Sequence, residues 1–256
     1  MKIYSPSYKR ASTVLTHKIL PEVIYCVHEF EAKAYQDLGY NIEVLPDSIR
    51  GNIAKVRNYI KKNLIKNKGM MIDDDIKSIK CWGLNDDLKP RAKRVDCLAE
   101  FFEYCFSMCE QFGCTMWGLN VVANDKGSYR ESAPFSLSSW FSGSLQGFMD
   151  HDLDFDERIP LKEDLDICLQ TLNKYRKILR FNFAFMEKDD HRNIGGCADI
   201  RTIVKEKEQF YLFQKKWGKK IVKVDTKNSQ TVSTYFRKQR TGFDFNPVLS
   251  VPIKGV

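Results

Sequence analysis

Residues 69–75 read Gly-Met-Met-Ile-Asp-Asp-Asp, a short apolar run that leads directly into three carboxylates. An apolar run of this length is typical of a buried strand. Strands and helices alternate before it: β-rich runs cover 2–4, 22–27 and 41–45, and helical patterns cover 29–38 and 52–66. This alternation predicts an α/β fold in which a parallel sheet is flanked by helices.

The pattern beyond residue 80 is less regular. Helices are predicted over 95–112, 161–175 and 202–217, and strands over 114–122, 179–186 and 219–224, with further strands and turns over 128–149. The pattern weakens after residue 224, where we expect a C-terminal extension with short strands.

The composition of the 256 residues excludes several classes of protein. Hydrophobic residues make up 43% of the chain, which is enough for a packed core. No apolar run approaches the ~20 residues of a membrane-spanning helix, and the N-terminus lacks a signal peptide's apolar segment. The eight cysteines form no C-x-x-C pair, so we expect reduced thiols and no zinc ribbon. These features predict a cytoplasmic protein without a membrane partner.

Positive charge is concentrated at the C-terminus. Of 41 basic and 33 acidic side chains, residues 201–256 hold 13 and 4. This segment therefore has a net charge of +9, whereas residues 1–200 are close to neutral at −1. A solvated basic tail and a nucleic-acid partner both fit this distribution. Aromatic residues among the cations of 215–220 and 235–240 favour the nucleic acid, because phosphate contact and base stacking use that mixture.

The three consecutive carboxylates indicate a cation site. Like charges repel, and each carboxylate raises the pKa of its neighbours unless a cation offsets the charge. Side chains alternate along a strand, so Asp73 and Asp75 are predicted to face one way and Asp74 the other. Two carboxylates at the carboxyl end of a strand suit Mg²⁺ or Mn²⁺ with open positions for phosphate. An acidic surface turn is the alternative interpretation.

A basic helix start precedes the carboxylates. Residues 50–58 read Arg-Gly-Asn-Ile-Ala-Lys-Val-Arg-Asn, in which Gly51 permits a close backbone approach to a ligand. The helix N-terminus attracts phosphate or ribose oxygens, and Arg50, Lys55 and Arg57 add positive charge. An ordinary basic helix is the alternative for this stretch taken alone.

Two more candidate motifs lie in the second half of the chain. Residues 155–166 hold five carboxylates beside a helix start, where they either cap the helix or present Glu163 or Asp164 as a general base. Residues 189–196 place His191 in a glycine-rich loop after a strand, where a neutral imidazole can bind a metal. Solvent exposure is the alternative for a single loop histidine.

In this order and spacing the motifs resemble the GT-A glycosyltransferase superfamily. Residues 73–75 match its D-x-D motif, residues 162–164 resemble its x-E-D motif, and His191 occupies the place of its C-terminal metal-binding histidine. The resemblance implies a Rossmann-like mixed sheet flanked by helices, a bound Mn²⁺ or Mg²⁺, and a UDP-sugar as donor. It also implies Asp164 with Glu163 as the catalytic base, Asp75, Asp73 and His191 as metal ligands, and a donor site of Ser5, Pro6, Ser7, Arg10, Arg50, Gly51, Asn52, Lys55, Asp73 and Asp74.

Within the superfamily the chain is most similar to the phage-encoded TET-associated glycosyltransferases. The opening Ile-Tyr-Ser-Pro-Ser-Tyr-Lys-Arg, the Met-Ile-Asp-Asp-Asp-Ile strand, the Asp-Glu-Arg-x-x-x-Lys-Glu-Asp-Leu-Asp stretch and the Asn-x-Gly-Gly loop carry this likeness. It implies transfer to a 5-hydroxymethylated pyrimidine base in phage DNA, with inversion if Asp164 is the base, and a location in the host cytoplasm. Such a base must leave the duplex stack. The aromatic residues Phe135, Trp140, Phe141 and Phe148 are either its pocket or plain core.

The resemblance also predicts the domain organisation. A catalytic domain would span 1–200, with a nucleotide-sugar half over 1–80 and an acceptor half over 81–200. The basic helix and extension over 201–256 would pack on the same domain. Three alternatives stay open: transfer to a protein or polysaccharide, a divalent-metal nuclease or nucleotidyltransferase, and a non-catalytic nucleic-acid-binding module.

Overall fold

The computed structural model describes residues 2–121, 132–188, 196, 201–224 and 247–251. Its strands are β1 (Ile3–Pro6), β2 (Ile24–His28), β3 (Ile42–Leu45), β4 (Lys68–Ile72), β5 (Ile76–Leu84), β6 (Pro90–Arg94), β7 (Met116–Asn120), β8 (Phe135–Ser136), β9 (Leu145–Met149), β10 (Leu179–Lys188), β11 (Val222–Lys223) and β12 (Val248–Leu249). Its α-helices are α1 (Glu29–Gln36), α2 (Ile53–Tyr59), α3 (Leu98–Gln111), α4 (Glu163–Tyr175) and α5 (Ile203–Trp217). A π-helical segment over Ile60–Ile65 continues α2.

One mixed sheet organises the described residues. Its strand order is β3-β2-β1-β4-β9-β7-β10-β5-β6, with β8 paired to β10. Strands β3, β2, β1 and β4 are parallel, as the alternating pattern predicts. Strand β9 runs antiparallel between β4 and β7, so the sheet becomes mixed at that point. The predicted mixed sheet flanked by helices is confirmed.

The hairpin of β5 and β6 is an element that the sequence analysis did not predict. Strand β5 begins directly after Asp75 and pairs antiparallel with β10 as far as Cys81. Its outer part, from Lys80 to Leu84, pairs with β6, which lies at the edge of the sheet. The turn after the three carboxylates therefore carries the chain to the far side of the sheet.

Helices cover both faces of the sheet. Tyr35 of α1 and Phe106 of α3 pack into the apolar cluster on one face, and Val56 of α2 and Cys168 of α4 pack into the cluster on the other. Apolar periodicity explains this arrangement, because each helix buries a single stripe against the sheet. None of the described helices combines the length and apolarity that crossing a bilayer requires.

The aromatic stretch after residue 134 contributes mainly to the core. Phe141 and Phe148 are completely buried, so the plain-core interpretation is confirmed for these two residues. The ring of Phe141 lies 2.3 Å from where a Cβ on Gly118 would be, so only glycine fits at that position of β7. Phe135 and Trp140 are partly exposed and pack at the margins of the apolar clusters.

The cysteines behave as the composition predicts. All seven cysteines in the described part of the chain are free thiols, and five of them are buried. Burial raises the pKa of the Cys81 thiol to about 11, which keeps it in the unreactive protonated form. Cys197 lies outside the described residues.

Helix α5 packs on α4 through both apolar and ionic contacts. Phe210 and Phe213 share an apolar cluster with Leu165 and Leu169 of α4. The carboxylate of Asp166 is fully buried beneath α5, where it accepts bonds from Lys216 Nζ at 2.8 Å and from Trp217 Nε1 at 2.7 Å. Part of the C-terminal positive charge is therefore neutralised inside the protein by the acidic stretch 155–166.

A buried ion pair joins the start of α4 to α5. Lys162 Nζ lies 2.8 Å from Glu206 Oε2, and both side chains are about 5% exposed. The Arg201 guanidinium lies 2.9 Å from the other oxygen of Glu206. Lys162 directly precedes Glu163 and Asp164, so this pair fixes the end of the helix on which both carboxylates lie.

We expect a Glu206→Leu variant to lose about 3–5 kcal/mol in its free energy of unfolding. The variant leaves Lys162 as a buried charge without its partner, which is costly in a low-dielectric interior. The double variant Lys162→Met/Glu206→Leu should recover most of that loss, because it removes both charges together. Urea unfolding of the two variants tests the pair, and equal losses would contradict it.

Candidate active site

The three carboxylates form a turn at the carboxyl ends of the parallel strands. Strand β4 ends at Ile72, so the alternation of a strand does not extend through the turn. The Asp73 backbone N–H donates to Ser144 O at 2.9 Å, and Thr16 Oγ1 donates to Asp73 O at 2.6 Å. The backbone N–H of Leu15 donates to Asp74 O at 2.7 Å. The loop after β1 and the start of β9 therefore hold the turn in place.

Asp74 is committed to the loop after β1. Its buried carboxylate accepts a bond from Ser7 Oγ at 2.5 Å and one from Arg10 Nη1 at 2.8 Å. Ser7 Oγ also lies 2.7 Å from the hydroxyl of Tyr35. Burial raises the pKa of Asp74, and the contacts with Arg10 and Ser7 oppose that shift. Asp74 therefore joins the loop over 5–10 to the turn.

Asp73 and Asp75 have opposite electrostatic environments. Burial raises the pKa of Asp73, but Arg57 and Lys188 more than compensate and hold it below its usual value. Burial and the charges of Asp73 and Asp74 raise the pKa of Asp75 to about 7. Asp75 Oδ2 lies 3.5 Å from Arg10, whereas its buried Oδ1 has no hydrogen-bond partner in the described part of the protein. Asp75 therefore carries an unsatisfied acceptor that a cation would satisfy.

Arg57 connects the aspartate turn to the start of α4. Its buried guanidinium donates to Gly143 O at 2.8 Å and to Asp73 Oδ1 at 3.2 Å. Its Nε lies 3.5 Å from Glu163 Oε1. The basic stretch over 50–58 predicts Arg57 only as added positive charge. Its place four residues after Ile53, on the apolar face of α2, is the signal that marks it as a buried cation.

Glu163 and Asp164 begin α4 in different environments. Glu163 is buried, and burial, with the charge of Asp164, raises its pKa to about 8. Asp164 is partly exposed and accepts bonds from the backbone N–H groups of Gly143 at 3.1 Å and Leu165 at 2.8 Å. Gly143 lies close to both motifs, because a Cβ there would be 3.1 Å from Asp164 Cβ and from Arg57 Nη2, and these neighbours would have to shift slightly to admit it.

An aromatic cluster lies where β1 and β2 end. The ring of His28 stacks on Phe30 at a centroid distance of 6.4 Å, and Tyr8 meets both rings edge-on at 6.0 and 5.9 Å. The exposed guanidinium of Arg50 lies 5.4 Å from the centre of the half-exposed Phe30 ring. The sequence analysis did not identify His28 or Phe30, because neither belongs to a polar motif.

Several predicted donor residues have structural contacts. Asn52 caps α2 by accepting a bond from Ala54 N at 3.0 Å, and its Nδ2 donates to Glu157 O at 2.8 Å. Ser5 and Pro6 are buried within β1. Two further predicted residues are accessible, since Gly51 is exposed with φ of 80° and Lys55 is partly exposed.

His191 lies outside the described residues, and Gly196, which is described, contacts the site. The Gly196 N–H donates to Tyr8 O at 3.0 Å. A Cβ on Gly196, where φ is 61°, would lie 3.1 Å from the Arg10 guanidinium. The described residues contain no group of three side chains that could hold a metal, so His191 as a ligand stays a prediction.

The turn over 73–75, the buried Arg57 and the carboxylates at the start of α4 lie together at one edge of the α/β sheet. The sequence model of the TET-associated glycosyltransferase family matches residues 1–196. This chain belongs to that family. The predicted family is confirmed, and the chain is a glycosyltransferase, an enzyme that moves a sugar from a donor to an acceptor.

Comparison with solved structures finds similarity at low sequence identity. The structure is similar to the crystal structure of S. aureus TarS 1–349, with 12% sequence identity and a TM-score of 0.40. The similarity covers 84% of this chain and 66% of that one. This chain therefore corresponds to slightly less than two thirds of the TarS structure. No curated protein sequence matches the chain.

Lys188 is a second cation of this TET-associated glycosyltransferase that the sequence analysis missed. It ends β10, donates from Nζ to Ser144 Oγ at 3.0 Å, and its charge lowers the pKa of both Asp73 and Asp75. Its only sequence signal is a lysine that ends an aromatic strand. Lys188 and Arg57 thus approach the turn from two different elements.

The buried Glu163 predicts a pH-dependent stability for the glycosyltransferase. Its pKa is about 8 when folded, against 4.5 as its ordinary value, so the folded state binds the extra proton between these limits. The stabilisation is complete below pH 4.5 and is lost as the pH rises to 8, at up to about 1.4 kcal/mol per pH unit. A Glu163→Gln variant should lack this contribution. Thermal unfolding at pH 5 to 8 should show a steeper decline for the wild type, and parallel curves would contradict the assignment.

Proposed function

We propose that this TET-associated glycosyltransferase transfers a sugar from a UDP-sugar to the hydroxymethyl group of a 5-hydroxymethylated pyrimidine in DNA. The reaction would depend on Mn²⁺ or Mg²⁺ and invert the anomeric centre. The observation that carries the proposal is Arg57, whose guanidinium joins Asp73 at 3.2 Å to Glu163 at 3.5 Å. It brings the two acidic motifs, which stand about ninety residues apart in sequence, into one site.

The donor side is suited to a nucleoside diphosphate. The half-exposed ring of Phe30, with Tyr8 beside it, offers a surface on which a pyrimidine ring can stack. Arg50 above Phe30 and the partly exposed Lys55 add positive charge for phosphate oxygens. Tyr8 and Phe30 follow the carboxyl ends of β1 and β2, and Arg50 and Lys55 come after β3. This is the edge at which open α/β sheets bind ligands.

The aspartate turn fits a hard divalent cation. The buried Oδ1 of Asp75 is an oxygen ligand without another partner among the described residues, and Asp73 supplies a second carboxylate. His191 is the proposed third ligand. A bound Mn²⁺ or Mg²⁺ would neutralise the charge that develops on the leaving diphosphate. Arg10, 2.8 Å from Asp74 and 3.5 Å from Asp75, stands beside the same position.

Asp164 is the proposed base. Each of its oxygens accepts one backbone hydrogen bond and keeps a lone pair for an acceptor hydroxyl. The carboxylate would take the hydroxyl proton while the hydroxyl oxygen bonds to the anomeric carbon, and the bond from that carbon to UDP breaks. Glu163, with a pKa of about 8, is mainly protonated at neutral pH and cannot take this role.

A DNA acceptor is supported by charge and by the family. The C-terminal segment carries a net charge of +9, and among its described cations Lys216 pairs with Asp156 and Asp166 of the acidic stretch 155–166. Lys205, Lys215, Lys219 and Lys220 of this segment are exposed. Exposed lysines attract the phosphates of nucleic acid. The name TET-associated also suggests oxidised methyl groups on DNA bases as the acceptor.

The deciding experiment is a UDP-release assay with Mn²⁺ and a panel of UDP-sugars. It would compare DNA containing 5-hydroxymethylcytosine with the same duplex containing cytosine. We expect one donor to release UDP faster only with the hydroxymethylated duplex. Release that ignores the DNA would reject the DNA acceptor and leave the donor assignment standing.

A further inference from the structure

We propose that the hairpin of β5 and β6 is a contact surface for the phosphate backbone of duplex DNA. Its cations are Lys89, Arg91, Lys93 and Arg94, all exposed, and we call them the basic ribbon. The inference rests on the proposed function in that DNA is the partner. It adds a surface that lies apart from the C-terminal segment.

The hairpin is an ordered two-stranded ribbon. Its outer residues, from Trp82 to Ala92, are paired only with each other in the described structure, since β10 pairs with β5 no further than Cys81. Asn85 closes the turn: its backbone N–H donates to Lys89 O at 2.9 Å, and its Oδ1 accepts from Lys89 N at 2.7 Å. A ribbon held in this way presents its side chains in fixed directions.

The charge of the basic ribbon is not neutralised within the described structure. None of its four cations forms an ion pair with a described carboxylate, whereas Lys162, Arg201 and Lys216 near α4 all do. Three acidic residues flank the strand: Asp86, Asp87 and Asp96. They offset much of the ribbon's positive charge when charges are summed over residues 1–200, so the net charge of that segment does not reveal the four cations. In the folded protein all four cations remain exposed to solvent.

The spacing of the cations suits a phosphate backbone. Arg91 and Lys93 face the same side of β6, so they stand about 6.6–6.8 Å apart along the strand. This equals the rise over two phosphates of one DNA strand, at about 3.4 Å each. Edge strands also carry charges to prevent pairing with other chains. Pro90 already hinders such pairing, because it has no backbone N–H to donate. Four cations within six residues are more than is needed to prevent pairing.

The ribbon extends from the active site. Strand β5 begins next to Asp75 and runs nine residues to Leu84, which at ~3.3 Å per step corresponds to about 26 Å. One turn of duplex DNA measures about 34 Å. A duplex with its target base at Asp164 is therefore long enough for its backbone to reach the basic ribbon.

The test measures binding of a short unmodified duplex by fluorescence anisotropy over a range of salt concentrations. The variant is Arg91→Ala/Lys93→Ala/Arg94→Ala, and the matched control, Lys2→Ala/Lys18→Ala/Lys33→Ala, removes the same charge from other exposed sites. We expect the ribbon variant to bind at least ~10-fold more weakly. The slope of log affinity against log salt should fall by about 3, and the control should keep the wild-type slope. Thermal unfolding verifies that both variants fold.

Two results would overturn the inference. One is an equal slope for the wild type and the ribbon variant, and the other is no duplex binding by the wild type at low salt. Because the probe carries no hydroxymethyl base, its binding does not depend on transfer. Duplex binding through the ribbon without any transfer would reject the proposed acceptor chemistry and leave the ribbon standing.

Discussion

An Asp75→Asn variant is expected to lose metal-dependent UDP binding, with the affinity falling at least ~100-fold, or about 2.7 kcal/mol. Asp75 Oδ1 is a buried acceptor without a hydrogen-bond partner among the described residues, and an amide is a much weaker ligand than a carboxylate for a divalent cation. Titration calorimetry with UDP in the presence of Mn²⁺ measures the change. Titration with EDTA present gives the metal-independent baseline.

The same substitution should not weaken the fold. Asp75 is buried beside Asp73 and Asp74, whose charges raise its pKa, so removing its charge relieves repulsion in the metal-free protein. We therefore expect the melting temperature without metal to stay level or rise while UDP binding is lost. Asp87→Asn, on an exposed carboxylate in the turn of the hairpin, is the matched control and should change neither quantity. Wild-type UDP affinity in Asp75→Asn would disprove the metal site.

The parallel part of the sheet was predictable because its signals are local. The run over 69–72 is apolar and short, and Gly39 and Pro46 mark the ends of neighbouring elements. The hairpin of β5 and β6 gave no such signal. Strand β6 reads Pro-Arg-Ala-Lys-Arg and lies at the sheet edge, and it contains none of the β-branched or aromatic residues that favour a strand. Its pairing with β5 is a tertiary property.

The sequence predicts which residue types form the candidate site, but it does not predict how their side chains are arranged in space. The residue types of Asp73, Asp74 and Asp75 predict a cation site, but their separate surroundings depend on a turn and on distant elements. Asp74 faces Ser7 and Arg10 because the loop after β1 lies against it. Arg57 and Lys188 reach the turn from α2 and β10, and no sequence spacing encodes that meeting.

The C-terminal charge shows a similar limit of sequence reasoning. The net charge of +9 indicates a polyanion partner, yet Lys216 and Arg201 are paired with buried carboxylates of the protein itself. A charge count treats these cations and the exposed Lys219 as equal. Only the packing of α5 on α4 separates structural cations from those that remain available to a partner.

An Asp164→Asn variant is expected to keep UDP binding within about twofold and to lose about 10²–10⁴-fold in kcat, the usual contribution of a positioned general base. Asparagine keeps one oxygen, which can accept the bond from either Gly143 or Leu165, so one of the two bonds is lost while we expect α4 to begin at the same residue. What it cannot do is take the proton from the acceptor hydroxyl. Single-turnover sugar transfer measures the loss of kcat, and calorimetry with UDP measures binding.

Glu163→Gln is the matched comparison for this prediction. With a pKa of about 8, Glu163 is already mainly protonated at neutral pH, and glutamine resembles that form. Its kcat should therefore fall much less than that of Asp164→Asn, although both variants remove one carboxylate from the same turn of α4. A larger loss in Glu163→Gln would assign the base to Glu163, and near-wild-type turnover in Asp164→Asn would remove Asp164 from the chemical step.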